Sequence, residues 1–132
     1  MRSKILFIVC IFFSCLLSAQ VNFRATLSKN SLGINERVRI DFIIDKDGDN
    51  FTPPAFENFR VVGPSQSIKN SWVNGKRSYS KTYTYFLSPM KKGNFKIGQA
   101  SIKVGDEIYK TMVLNLVVTN AVDKPLNPND PL

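Results

Sequence analysis

Asp45, Asp47 and Asp49 place three carboxylates at alternate positions around Gly48, the densest set of oxygen ligands in the chain. A calcium loop of the EF-hand kind needs glycine at its sixth place and a bidentate glutamate at its twelfth. Counted from Asp45, glycine falls at the fourth place and Phe56 at the twelfth, and no helical pattern flanks the run. The segment reads as an Asp/Gly loop whose side chains bond their own backbone, and no metal is expected. A second constellation surrounds Asn74-Gly75: Trp72, Lys76, Arg77 and Tyr79, with Lys69 nearby. Tryptophan, tyrosine and arginine dominate binding hot spots, because each buries a large area while keeping a polar or cationic group in use. Their chemistry is recognition, not bond making. Trp72 has a competing reading as a plug between sheets, and the row Tyr79, Tyr83, Tyr85 reads as core and cross-strand packing.

Other chemistries are bounded by the first residues. Met1-Arg2-Ser3-Lys4 is a short basic start, and Ile5 to Phe13 is apolar apart from Cys10. The segment from Ser14 to Gln20 then supplies small residues where a signal peptidase would cut, completing the layout of a secretory signal peptide. The apolar stretch ends at Leu17, short of the roughly 20 residues that span a bilayer. Cleavage is expected between Ala19 and Gln20. Lipidation of Cys15 is the alternative, and an N-terminal core helix the third reading, which lacks a polar face. Cleavage removes both cysteines, and the chain has no histidine. Ser-His-Asp and Cys-His triads, thiol redox pairs and histidine or cysteine zinc sites are then excluded, and export removes ATP. Carboxylate-only catalysis stays chemically open, but the ten acids are scattered over turn-like places. No enzyme and no cofactor is expected. Without a disulfide, residues 20–132 must stand on their hydrophobic core alone.

Loss of Arg2 and Lys4 leaves sixteen basic residues against ten acids, a net +6. From Arg60 to Lys103 there are nine basic residues and no acid. Such a segment projects a positive field that favours an acidic protein patch or an anionic membrane surface. The plainer reading is a solvated face. Nucleic acid fits poorly, because no reader motif gathers these charges.

These residues sit in a chain whose apolar period is two. Val21, Phe23, Ala25 and Leu27 alternate with polar residues, as do Val38, Ile40, Phe42 and Ile44 after a turn at 31–36. Pro53-Pro54 fixes an extended stretch, with Phe51, Phe56 and Phe59 as core plugs under a loop. Val61-Val62 reads as a short strand closed by Gly63-Pro64, and Ser65 to Val73 as another. Asn74-Gly75 is a strong hairpin signal, returning through Lys76 to Leu87. Strands follow at Phe95–Ile97 and Ala100–Val104, then a last one from Ile108 to Val118 with Met112, Leu114, Leu116 and Val118 in step. Residues 120–132 carry three prolines and read as a linker. The fold expected for residues 20–119 is all-β, an immunoglobulin-like antiparallel β-sandwich of about 7–9 strands.

The order of Pro53-Pro54-Ala55-Phe56, Phe59 to Ser67, Asn74-Gly75-Lys76, Tyr83 to Pro89 and Lys92-Gly93 resembles the N-terminal domain of the BatD family. Ala100 to Val104 and Tyr109-Lys110-Thr111 also fit, so the resemblance runs from Val21 to Thr119. These are bacterial oxygen-tolerance (aerotolerance) proteins. The resemblance implies a periplasmic, inner-membrane-anchored protein of several β-sandwich modules. Its implied partners are envelope proteins, among them companions with von Willebrand A-type domains linked to a MoxR-type ATPase. That likeness establishes no catalytic activity, and no small-molecule substrate is expected. The chain is then expected to be the exported first module of a longer anchored protein, with Lys69, Trp72, Lys76, Arg77 and Tyr79 as its partner-binding residues. The alternative is an extracellular carbohydrate-binding or adhesin module, which requires two or three coplanar exposed aromatics among residues such as Trp72, Tyr79 and Phe86.

Overall fold

The computed structural model describes residues 20–123. The expected leader at 1–19, including Cys15, and the linker from 124 onward lie outside the described residues. Five strands occupy the first half: β1 (Phe23–Leu27), β2 (Ser31–Gly33), β3 (Val38–Ile44), β4 (Asp49–Thr52) and β5 (Phe59–Val73). Five more follow: β6 (Lys76–Pro89), β7 (Gly93–Ile97), β8 (Ser101–Val104), β9 (Glu107–Lys110) and β10 (Leu114–Thr119). The main sheet has the order β1-β3-β6-β5. Two smaller sheets, β2-β10-β7 and β4-β8-β9, make the facing layer. All pairs are antiparallel except β2 with β10. The described residues form an all-β sandwich.

Side-chain alternation decides which way each strand faces. Val38, Ile40, Phe42 and Ile44 are fully buried, while Arg39 between them is exposed. A one-residue slip of β3 would bring Arg39, Asp41 and Ile43 inside, so the register is strongly specified. Tyr83, Tyr85 and Leu87 of β6 extend this inner face, and Leu32, Ile97, Ile102, Leu116 and Val118 close it from the other layer. Phe51 stacks flat on Tyr83 with ring centroids 3.9 Å apart, and Phe59 meets Phe95 edge-on at 5.5 Å. The phenylalanines expected as plugs do pack against the core, although Phe51 does so from β4 and Phe59 from the start of β5, leaving only Phe56 in a loop.

Three expectations are corrected. There are ten strands among the described residues, not seven to nine, partly because the turn at 31–36 contains β2. The segments 61–62 and 65–73 form one strand, β5, which passes Gly63-Pro64 through a β-bulge. β5 is the sheet edge, where a proline's missing N–H costs no ladder bond on the open side. The strand expected over 108–118 is split into β9 and β10, which belong to different sheets. Between them Thr111 is buried, its Oγ1 accepting the Ala100 N–H at 2.9 Å, and this anchor throws Met112 outward to 81 % exposure, out of step with Leu116 and Val118.

The buried tyrosine at the sheet centre gives the domain an alkaline limit. Burial, and secondarily the charge of Tyr83, hold the Tyr85 hydroxyl above its ordinary pKa of 10.0. The folded chain therefore keeps a proton that the unfolded chain releases near pH 10, so this stabilisation is complete below pH 10 and lost as pH rises above it. Thermal melts are expected to be flat from about pH 8 to 9 and to fall above about pH 10. Tyr85→Phe should flatten the alkaline decline.

Candidate functional site

β3 covers β6 only from Leu87 back to Lys81, where Ile44 pairs with Lys81. The hairpin continues past that point through Lys69–Ser80, Asn70–Tyr79, Ser71–Ser78, Trp72–Arg77 and Val73–Lys76. These five pairs have no third strand and project as a two-stranded ribbon about 17 Å long. The turn at its tip has Asn74 at φ 52° and Gly75 at φ 76°, the left-handed values of a two-residue type I′ turn. Every residue of β5 after Phe59 is exposed.

Directly opposed residues share a face of an antiparallel pair, so the register sorts the expected site residues. Trp72, Arg77 and Tyr79 lie on the inner face, which continues into Tyr83 and Tyr85, and Ile68 joins them. Lys69 and Lys76 lie on the outer face with Ser78 and Ser80. The expected site is thus divided between two faces of one ribbon. Trp72 is 72 % exposed, so it is not a core plug. Tyr83 and Tyr85 are buried, as expected for core packing, while Tyr79 is half-buried at the ribbon's base.

Local contacts order the inner face. Arg77 Nε donates to Asn70 Oδ1 at 2.8 Å, and its guanidinium carbon lies 5.6 Å from the Tyr79 ring centroid. Lys81 Nζ sits 5.2 Å from the Tyr83 ring centroid. Hydrogen bonding to Tyr83 is the main influence raising the Lys81 pKa above 10.5, with burial opposing it, so this group stays cationic at neutral pH. Arg77 and Tyr79 share a shallow cleft of about 280 Å³ with Asp45, Lys46 and Asp47 of the β3–β4 loop. Asp45 Oδ1 is engaged by the Asn22 N–H at 2.8 Å. Among the described residues no group of three or more histidine, cysteine or acidic side chains is gathered as a metal would need. The loop instead limits the positive field of the inner face, whereas Lys69 and Lys76 point away from it.

Ile68 is the residue that sequence reasoning missed. It is 59 % exposed and lies four residues before Trp72 on the same face, a relation readable from the period of two. Phe86 lies on the outer face, 38 % exposed, with Arg37 over its ring at 5.5 Å. Trp72, Tyr79 and Phe86 therefore do not make one aromatic platform.

Comparison with curated proteins and with solved structures gives no match. The model for the family described as the BatD DUF11 like domain matches residues 25–118, from within β1 to within β10. That span contains the sandwich and the whole ribbon, and the chain belongs to the BatD family.

Proposed function

We propose that the chain is a non-catalytic, exported interaction module of a cell-envelope complex associated with oxygen tolerance, and that its β5–β6 ribbon is the docking element. The exposure of Trp72 on a projecting ribbon carries this reading. A large aromatic side chain held in water gains most when a partner covers it, and Arg77 and Tyr79 beside it are the types that share such contacts. The acid-free run from Arg60 to Lys103 supports an acidic partner surface, which it would attract through the solvent. Family membership supports envelope companions with von Willebrand A-type domains as the partners. The carbohydrate reading has less support, because Phe86 does not share a face with Trp72 and Tyr79.

The test is recovery of partners from solubilised envelope with Trp72→Ala combined with Arg77→Glu. Loss of a hot spot costs about 2 kcal/mol or more, so capture is expected to fall at least about tenfold. Stability should move by no more than about 0.5 kcal/mol, since both side chains are exposed. Recovery of the same partners in the same yield would overturn the assignment.

A further inference from the structure

Among the described residues β5 is an open sheet edge along its whole length. The two-residue turn makes Val73 and Lys76 the hydrogen-bonded pair that closes the ribbon, so Ser71, Lys69 and Ser67 continue that bonded set at alternate positions. The residues between them, Gln66, Ile68, Asn70 and Trp72, turn their backbone N–H and C=O away from β6. Each offers one donor and one acceptor to whatever lies beyond the edge. The usual guards of such an edge are sparse here. The bulge at Gly63-Pro64 sits below this stretch, and between Ser65 and Val73 the only charge is Lys69.

We propose that β5 binds its partner by strand addition: an extended protein segment alternating apolar and acidic residues pairs with Gln66–Trp72. This rests on the interaction-module reading and specifies how the partner is held. The two faces set the alternation. On the inner face the added strand lies beside Ile68 and Trp72, which favour apolar neighbours. On the outer face it lies beside Lys69, with Lys76 one strand further in, where acids are favoured. A second copy of the chain is the poorer occupant, because edge-to-edge pairing would bring two acid-free basic ribbons together.

The probe is a synthetic peptide of about eight residues alternating valine and glutamate, long enough at about 3.3 Å per residue to run along the ribbon. The comparator replaces every glutamate with lysine. Trp72 is the only tryptophan, so its emission reports on the site alone. The glutamate peptide is expected to shift that emission to the blue and to slow hydrogen exchange at Gln66, Ile68, Asn70 and Trp72 by about tenfold or more, the comparator far less. Ile68→Pro removes one outward N–H without touching a bond to β6 and should weaken binding about tenfold, whereas Ile68→Thr keeps the N–H and should retain most of it. Equal protection by both peptides, or none by either, overturns the proposal. A shift in Trp72 emission without amide protection overturns strand addition but leaves the ribbon as the docking element. Protection of the four amides that grows with protein concentration and no peptide overturns it in favour of a second copy.

Discussion

Phe42→Ala is expected to lower the unfolding free energy by about 3–5 kcal/mol, seen as a fall in urea midpoint with unchanged slope. Phe42 is fully buried at the centre of β3 and has ring neighbours from three directions. Its centroid lies 5.6 Å from Phe51, 5.9 Å from Tyr85 and 6.4 Å from Phe56. Phe51 and Phe56 come from the 49–59 segment of the chain, so Phe42 is where that segment is held against the main sheet. Truncation removes the transfer energy of the ring and leaves a cavity that stacked aromatics cannot easily fill. A domain of this size has about 5–15 kcal/mol in total, so the variant should be marginal. Phe86→Ala is the matched control: the same residue type on the exposed outer face should cost about 1 kcal/mol or less. If the two variants unfolded at the same midpoint, the assignment of the inner and outer faces of the main sheet would be wrong.

The same alternation makes much of this sandwich legible in the sequence. Val38 to Ile44 fixes β3, and Tyr79 to Leu87 fixes the inner face of β6, because the period of two maps directly onto burial. Asn74-Gly75 places the ribbon's tip, and that turn already implies that Trp72 opposes Arg77. The division of Lys69 and Lys76 from Trp72 and Arg77 was therefore within reach of the sequence. It was missed by grouping residues by nearness in the chain, although neighbours in a strand point to opposite faces. The exposure of Trp72 was harder to see, since it depends on where a different strand stops. β3 ends at Ile44, leaving the hairpin's last pairs uncovered, and only a comparison of strand lengths hints at that. The break at Met112 has a tertiary cause, the anchoring of Thr111 beneath Ala100, and no local pattern announces it.

Gly63→Val is expected to destabilise the domain by about 2–6 kcal/mol, through backbone strain and a clash of about 1–3 kcal/mol each. Gly63 has φ 128°, a value that L side chains rarely adopt, and a Cβ there would stand 2.7 Å from the Thr84 carbonyl oxygen of β6. The cost should be local in origin. Across the bulge the inner face of β5 changes from odd-numbered residues, Phe59 and Val61, to even-numbered ones, Ile68 and Trp72. Gly63-Pro64 thus lets Phe59 reach the core beside Phe95 while the ribbon presents Trp72 on the side set by its turn. Forcing β5 away from β6 at this point should release the Phe59 end first, because the ribbon end is closed by its own Asn74-Gly75 turn. Hydrogen exchange should rise more at Arg60 and Val62, whose N–H groups face β6, than at Ser71 and Val73, alongside the lower urea midpoint. Gly98→Ala is the control, since a Cβ there meets only Pro54 at an ordinary 3.7 Å and the change should cost about 1 kcal/mol or less. Wild-type stability in Gly63→Val would mean that β5 does not need the bulge to serve both ends, and the coupling of core anchor to ribbon would fail with it.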